Sequence, residues 1–294
     1  LIIENPARIS AKNSQLVIHT DRERSVPIED ISAILIENNQ STITTAALSQ
    51  LGQRGCALFV CDEKHLPCAV LTGFARHSRE LSVLKEQLSA GEVLKKRLWQ
   101  SIVAAKIKNQ AVCLRLCGRE EAAEGLERMA ASVRSGDGGN AEAAAAARYF
   151  PALFGKGFIR NSDNGINAAL NYGYAVLRGC MARYLAAYGF LPALGLHHKN
   201  ELNSFNLADD LMEPFRPLVD LLAFVCFDEN TELIPENKRQ LFNCLNLEML
   251  SGGQRHSTAY AMERLVHSLA RSLDRGEAAL LLPGLLDLKQ HSYE

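Results

Sequence analysis

The chain has 294 residues, of which 47% are hydrophobic and 22% are charged. These values are typical of a globular protein with a real core, and they exclude the disordered and fibrous classes. The formal net charge is -1, so the overall charge gives no indication of nucleic-acid binding. Any DNA-binding surface must therefore come from local clusters of basic residues.

Cysteine usage and hydropathy indicate the compartment. The 8 cysteines form no Cys-x-x-Cys pair, and several lie in apolar segments such as residues 57–61. Reduced buried thiols are common in such segments, and a chain of this size needs no disulfides. The opening residues lack the pattern of a signal peptide, and no apolar run reaches the length of a membrane helix. We therefore expect a cytoplasmic protein with no membrane partner.

The first 75 residues show the pattern of short β-strands. Runs rich in β-branched residues alternate with Asn, Asp, Gly and Pro, and a helix is predicted over residues 45–53. The predicted strands are residues 15–19, 25–28, 31–36, 56–61 and 66–71. Several short strands at close spacing predict a small sandwich or a mostly antiparallel β-domain.

From residue 76 onward the apolar residues recur at helical spacing. The predicted helices include residues 80–90, 92–117, 238–250 and 257–273. The sequence therefore predicts an α+β protein. A small β-sandwich-like domain, residues 1–75, precedes a larger all-α domain, residues 76–294.

A glycine-rich break over residues 135–139 precedes a strong helix-forming segment, residues 141–150. Asn140 is the predicted N-cap of that helix, and Glu142 then falls in its first turn. A carboxylate in this position stabilises the helix dipole. That structural role alone explains Glu142, so spacing gives no functional assignment.

A second acidic segment follows residue 205. If residues 205–213 are helical, Asp209 and Glu213 share a face, where a divalent cation such as magnesium or manganese would compensate their repulsion. The alternative is an ordinary ion pair between Glu213 and Arg216. Pro214 biases Glu213 away from the α region, so Glu213 is expected at a helix boundary or kink.

His197 and His198 form the third candidate. Neighbouring side chains diverge in regular structure, so at most one of them is expected to face a shared site, and spacing does not choose between them. A satisfied structural histidine remains the alternative. Zinc is not favoured, because no second histidine or cysteine lies at a usual ligand spacing.

Four segments carry a resemblance to a known family. They read NAEAAAAARYF at 140–150, INAALNYGY at 166–174, HHKNELNSFN at 197–206 and DLMEPFRP at 210–217. In order, spacing and β-then-helical layout, the chain resembles the CRISPR-associated spacer-acquisition endonuclease, or integrase, of the type II branch.

The resemblance implies a Mg²⁺ or Mn²⁺ site whose ligands are also the catalytic residues. These fall on Glu142, His198 and Glu213, with Asp210 as an auxiliary ligand. In the family a glycine commonly follows the first glutamate, whereas this chain has Ala143. The residue is still small, but the local backbone is expected to differ.

The implied reaction is transesterification, in which 3′-hydroxyl ends of spacer precursor DNA are joined to the repeat. The implied partners are double-stranded DNA, a second copy in a homodimer formed by the β-domains, a small ferredoxin-like companion protein, the type II RNA-guided effector nuclease and a DNA-end-binding protein. Candidate DNA contacts are Arg76, His77, Arg148 and Lys199. A solvated charge, or for Arg148 an internal ion pair, explains each of them equally well.

Three other functions stay open at this point. The chain is alternatively a non-catalytic DNA-binding scaffold of the same fold, a helical protein whose acidic motif binds another protein, or a nuclease acting on branched DNA. The presence of all three ligand positions argues against a decayed site. Metal-dependent DNA joining separates the integrase from the first two.

Overall fold

The computed structural model describes residues 1–31, 33–63, 67–71, 73 and 80–292. The chain divides into two compact units, Leu1–Glu80 and Leu81–Glu294. The predicted boundary at about residue 75 lies outside the described residues. A β-rich unit followed by a mostly helical unit confirms the predicted α+β class.

The N-terminal unit is built from short strands of β-branched and apolar residues. The strands are β1 (Ile2–Ile3), β2 (Arg8–Lys12), β3 (Gln15–His19), β4 (Glu23–Pro27), β5 (Ala33–Ile36), β6 (Thr42–Ile43), β7 (Ala57–Cys61) and β8 (Pro67–Leu71). Helix α1 (Thr45–Arg54) is capped by the side chain of Thr44 and ends at Gly55, whose φ is 78°. The helix and the predicted strands are confirmed with small shifts at their ends, whereas β1, β2 and β6 were not predicted.

The described strands of this unit form two four-stranded sheets, in the orders β1-β5-β7-β8 and β4-β3-β2-β6. Ile9 and Leu16 of one sheet share a buried core with Ile34 and Leu58 of the other and with Leu51 of α1. The arrangement is therefore sandwich-like, as predicted. It is less antiparallel than expected, because β5 and β7 are parallel strands joined through α1.

The C-terminal unit consists mainly of helices. They are α2 (Glu80–Ser89), α3 (Glu92–Leu116), α4 (Glu120–Ala131), α5 (Ala141–Phe154), α6 (Gly165–Ala187), α7 (Asn206–Met212), α8 (Arg216–Cys226), α9 (Pro235–Phe242) and α10 (Thr258–Arg275). No helix in the described ranges is both long enough and apolar enough to cross a bilayer. None of the 8 cysteines, all of which are described, forms a disulfide.

The C-terminal unit also contains a small antiparallel sheet, which corrects the prediction of an all-α domain. Its strands are β9 (Leu247–Ser251), β10 (Gln254–Ser257) and β11 (Gly284–Gln290), in the order β10-β9-β11. The predicted helix over residues 238–250 was wrong beyond Asn246. Gly252 and Gly253 adopt φ angles of 62° and 79° in the two-residue turn that joins β9 to β10.

Candidate metal centre

Helix α3 brings two buried polar side chains to the site. Lys106 and Asn109 are three residues apart, so they lie on neighbouring positions of one helix face. Asn109 Nδ2 donates to the carbonyl oxygen of Pro214 at 2.7 Å, and its Oδ1 accepts from the backbone N–H of Leu285 at 3.0 Å. These bonds hold the segment that follows Glu213 against α3.

Glu213 lies at the junction between α7 and α8, where Glu213–Phe215 forms a 3-10 turn. This placement confirms the boundary expected from Pro214. The side chain is only 5% exposed, and its Oε1 lies 3.0 Å from Arg216 Nε, in an ion pair that is largely buried. Burial raises the pKa of Glu213, but Arg216 and Lys106 outweigh it and lower the pKa below its usual value. Glu213 is therefore a buried, ionised carboxylate.

Glu142 lies in the first turn of α5, as predicted, but a different residue caps that helix. Asn140 has a φ of 51° and makes no side-chain cap bond. The cap is Asp137, whose carboxylate accepts from the backbone N–H groups of Ala141 at 2.7 Å and Glu142 at 3.0 Å. Asn140 thus stands at the predicted N-cap position, but Asp137 supplies the capping carboxylate.

Replacing Asp137 by Ala should destabilise the protein by about 1 kcal/mol, because two N–H groups at the start of α5 lose their acceptor. Asn140→Gly is the matched control, since glycine adopts positive φ without strain, and it should change stability by less than about 0.5 kcal/mol. Urea unfolding of both variants measures the difference. A cost at Asn140→Gly equal to that at Asp137→Ala would contradict this assignment of the cap.

Lys106 links the two glutamates. Its Nζ donates to Glu142 Oε1 at 2.6 Å and lies 2.5 Å from Glu213 Oε2. The lysine side chain is 11% exposed. Burial opposes its charge, but Glu213 and Glu142 outweigh this effect and raise the pKa of Lys106 above its usual value. The carboxylates of Glu142 and Glu213, which are far apart in the sequence, thus both contact the buried ammonium of Lys106.

Asp210 orients His198. The fully buried carboxylate of Asp210 accepts backbone N–H bonds from Leu196 at 2.6 Å, His197 at 2.9 Å and His198 at 3.2 Å. Its Oδ1 also lies 2.6 Å from His198 Nδ1. A Cβ on Gly195 would stand 2.9 Å from Asp210 Oδ2, so only glycine leaves room for this approach. Both Asp210 oxygens are engaged, and Nε2 is the ring nitrogen of His198 that remains for a ligand.

The structure distinguishes the two histidines, which the sequence did not. The ring of His197 stacks on Trp99, with centroids 4.3 Å apart and planes 2° apart. The pKa of His198 is raised, first by its hydrogen bond to Asp210 and further by the charges of Asp210, Glu213 and Glu142. His198 therefore lies within electrostatic reach of both glutamates, whereas His197 packs on an aromatic ring.

The acidic side chains of this segment have separate hydrogen-bond partners. Asp209 accepts from Arg178 Nε at 2.6 Å and from Asn203 Nδ2 at 2.8 Å. Each acidic residue of this segment thus has its own partner: Arg178 for Asp209, the His198 segment for Asp210 and the Lys106–Arg216 pair for Glu213. These separate contacts offset the repulsion between the neighbouring carboxylates.

A buried network adjoins Arg216. Asp220 accepts from the hydroxyls of Tyr149, at 3.0 Å, and Tyr174. The guanidinium of Arg216 lies 4.7 Å from the centroid of the Tyr174 ring. Burial raises the pKa of Asp220 to about 6 from its usual value of 3.8, against the lowering effect of both tyrosine hydrogen bonds.

The raised pKa of Asp220 predicts a pH-dependent contribution to stability. The folded state binds the proton more tightly than the unfolded state, so this contribution is present below the unfolded pKa and is lost as pH rises through the folded pKa of about 6. A difference of about 2 pKa units corresponds to about 3 kcal/mol. Between about pH 4 and about pH 6, the free energy of unfolding of wild type should fall relative to that of Asp220→Asn, as urea unfolding at a series of pH values would measure. A difference that stays constant with pH would contradict the prediction.

Two of the four predicted DNA contacts can be placed. Arg148 is exposed on α5, with Nη1 3.4 Å from Met129 Sδ, and it forms no ion pair with the residues that the structure describes. Lys199 is 68% exposed, and its Nζ lies 3.7 Å from Glu92 Oε2. Arg76 and His77 lie outside the described residues. Both placed side chains remain accessible to a phosphate backbone.

A divalent metal can be tested against these residues. In the described part of the chain, no three His, Cys, Asp or Glu side chains stand close enough together to form a ready metal site. Buried Glu213 Oε2 lies 2.5 Å from the ammonium of Lys106, so the charge of this carboxylate already faces a cation. The carboxylates of Glu142 and Glu213, together with the imidazole of His198, form a donor set that fits magnesium or manganese.

Comparisons with known proteins place the fold and then the family. The fold is similar to that of a casposase bound to integration product, with a TM-score of 0.79, 19% identity and 95% and 92% of the two chains covered. It is also similar to a Cas1 protein from Thermotoga maritima, with a TM-score of 0.75, 17% identity and 95% and 98% covered. The fold is thus that of the Cas1 and casposase proteins.

Sequence similarity is more specific. The model for CRISPR associated protein Cas1 matches residues 1–236. The CRISPR-associated endonuclease Cas1 of Neisseria meningitidis serogroup C (strain 8013) is 46% identical over 299 residues, which cover 100% of this chain and 98% of that protein. The chain belongs to the Cas1 family of CRISPR-associated endonucleases. The predicted family is confirmed.

Proposed function

We propose that this protein is a metal-dependent DNA integrase of CRISPR adaptation that joins the 3′-hydroxyl ends of spacer precursor DNA to the repeat. One observation carries the proposal. The carboxylates of Glu142 and Glu213 both lie beside the buried ammonium of Lys106, and their charges also raise the pKa of His198. Membership of the Cas1 family supports the substrate class. A similar fold has been captured with an integration product in a casposase, which supports the reaction type.

Glu142, His198 and Glu213 would hold a Mg²⁺ or Mn²⁺ ion. When bound, such an ion supplies positive charge to the phosphoryl oxygens and leaves positions open for the substrate. Asp210, the expected auxiliary ligand, would also fix the orientation of the imidazole, because both of its oxygens accept hydrogen bonds from the His198 segment.

The chain's own residues then position the reacting groups. Phosphoryl transfer depends mainly on in-line geometry and on neutralising charge around the phosphate. Arg216 Nε lies 3.0 Å from Glu213 Oε1 and fixes this oxygen of the carboxylate. Asn109 anchors the following turn through Pro214. A rigid Glu213 presents the same face to each incoming phosphodiester.

Partners are proposed on weaker likenesses. The solved relatives include a Cas6-RT-Cas1–Cas2 complex and a Cas1–DNA complex, each 17% identical to this chain. By analogy we expect a homodimer that binds double-stranded DNA and a small ferredoxin-like companion, with the type II RNA-guided effector nuclease and a DNA-end-binding protein acting in spacer capture. Arg76, His77, Arg148 and Lys199 are proposed phosphate contacts. Binding through them should weaken as salt rises.

The test is resealing of a synthetic branched DNA that mimics a half-integrated spacer, with the protein alone. Resealing is expected with manganese and magnesium, and none with chelator. A branch whose joining strand ends in 3′-hydrogen is the control, because it lacks the attacking hydroxyl.

Each outcome of this test identifies one activity. Binding without turnover in either metal, also after the companion is added, would identify a scaffold. Cleavage that ignores the 3′ end would identify a branched-DNA nuclease.

A further inference from the structure

Lys106 occupies the position that a metal bridging Glu142 and Glu213 would need. Its Nζ lies 2.6 Å from Glu142 Oε1 and 2.5 Å from Glu213 Oε2. Metal–oxygen bonds of about 2.1 Å to the same two atoms would place a magnesium ion in nearly the same space. The ammonium and the metal therefore compete for one pair of carboxylates.

We propose that Lys106 is an internal competitor of the catalytic metal, and that its ammonium must leave at least one of these carboxylates before the metal binds. The inference rests on the proposed function, since it concerns the same site. The new element is that metal affinity depends on Lys106, a side chain that is not a ligand.

Glu213 keeps a cationic neighbour when Lys106 leaves it. Both contacts of the ammonium are short, 2.6 Å to Glu142 Oε1 and 2.5 Å to Glu213 Oε2. Arg216 also remains beside Glu213 when the lysine departs. The side chain of Lys106 is unbranched and flexible, so its head can move while its stem stays on α3.

A displaced ammonium needs a new anion, because an unpaired buried charge is unfavourable. A phosphate of DNA bound at the site supplies one. DNA and metal would then each raise the affinity for the other, since such coupling is reciprocal. The free protein would bind metal weakly and would be loaded mainly when its substrate is present.

Lys106→Met tests the competition, with Lys108→Met as the matched control. Lys108 is exposed on the same helix, so the control makes the same substitution on α3 without touching the two glutamates. Mn²⁺ binding is measured from the electron paramagnetic resonance signal of free Mn²⁺, without DNA. Lys106→Met should bind Mn²⁺ at least about tenfold more tightly than wild type, because a nearby positive charge is removed. Lys108→Met should match wild type.

A second arm adds DNA with a 3′-hydrogen end, which binds without reacting. Wild type should gain Mn²⁺ affinity when this DNA is present, and Lys106→Met should gain clearly less. Equal or weaker Mn²⁺ binding by Lys106→Met than by wild type would overturn the proposal. If DNA increased the Mn²⁺ affinity of wild type and of Lys106→Met equally, Lys106 would not couple DNA binding to metal binding.

Because Lys106→Met could fail to fold for other reasons, Lys106→Gln serves as a second variant, and thermal unfolding is measured with and without Mn²⁺. Mn²⁺ should raise the Tm of both variants more than it raises the Tm of wild type. Failure of both to fold in saturating Mn²⁺ would overturn the proposal, since the metal should then replace the ammonium. Unchanged Mn²⁺ affinity in Lys106→Met, with wild type still resealing DNA, rejects this inference alone. Absence of both Mn²⁺ binding and resealing in wild type rejects the proposed function.

Discussion

Replacing Glu213 by Gln should reduce metal-dependent resealing of branched DNA by about 1000-fold, which corresponds to several kcal/mol of transition-state stabilisation. The amide keeps the shape of the side chain but removes the negative charge that Lys106 and Arg216 now flank. Binding of the branched DNA should change little, since phosphate contacts come from basic residues. The measurement is a single-turnover resealing rate in Mn²⁺.

Glu201→Gln is the control for the charge change, because Glu201 is exposed on the turn that follows His198. It should reseal at the wild-type rate. A Glu213→Gln rate within about twofold of wild type would show that this carboxylate does not act in the reaction.

Replacing Asp210 by Asn should lower metal affinity and resealing by about 10- to 100-fold, the range expected for a residue that orients a metal-binding histidine. Asp210 accepts from three backbone N–H groups and from His198 Nδ1. An amide would turn an NH₂ group towards some of these donors. We also expect a loss of stability of about 2 kcal/mol, because buried donors are left without an acceptor.

Asp209→Asn separates this effect from a general disturbance of α7. Asp209 is also buried and neighbours Asp210, but its partners are Arg178 and Asn203. Its Asn variant should keep Mn²⁺ affinity near wild type even if stability falls. Equal losses of Mn²⁺ affinity in both variants would contradict the orienting role of Asp210. Calorimetric titration of Mn²⁺ and thermal unfolding of the two proteins measure these effects.

Local sequence patterns predicted most elements of the fold. Short β-branched runs and the helical spacing of apolar residues depend on neighbours along the chain, so they were visible in the sequence. The two-residue hairpin at Gly252 and Gly253 was also visible, but the surrounding segment was taken for helix. A glycine pair is a signal for a two-residue hairpin turn, and here it marks where β9 ends.

The candidate site was predictable only through the family resemblance. Pro214 correctly placed Glu213 at a helix boundary, where a 3-10 turn begins, although the backbone of Glu213 itself stays in the α region with φ −51° and ψ −45°. Choosing His198 over His197 required Asp210 and Trp99, whose positions depend on tertiary packing. No local rule brings these side chains together.

Lys106 was missed, although a signal for it existed. It lies between Ala105 and Ile107 in the apolar part of α3, where a lysine is almost never buried unless it is paired. A lysine in the apolar stripe of a predicted helix therefore predicts a buried acidic partner. Identifying Glu142 and Glu213 as those partners needed the fold, since 36 residues separate Lys106 from Glu142.

The most direct test of metal-dependent joining at this site replaces one non-bridging oxygen of the attacked phosphodiester by sulfur. Sulfur binds magnesium poorly and is tolerated better by manganese, so resealing by wild type should fall in Mg²⁺ and recover in Mn²⁺. Glu213→Gln should show no recovery. Equal sensitivity to sulfur in both metals would contradict contact between the metal and the phosphate, and resealing that persists in chelator would contradict the metal-dependent mechanism as a whole.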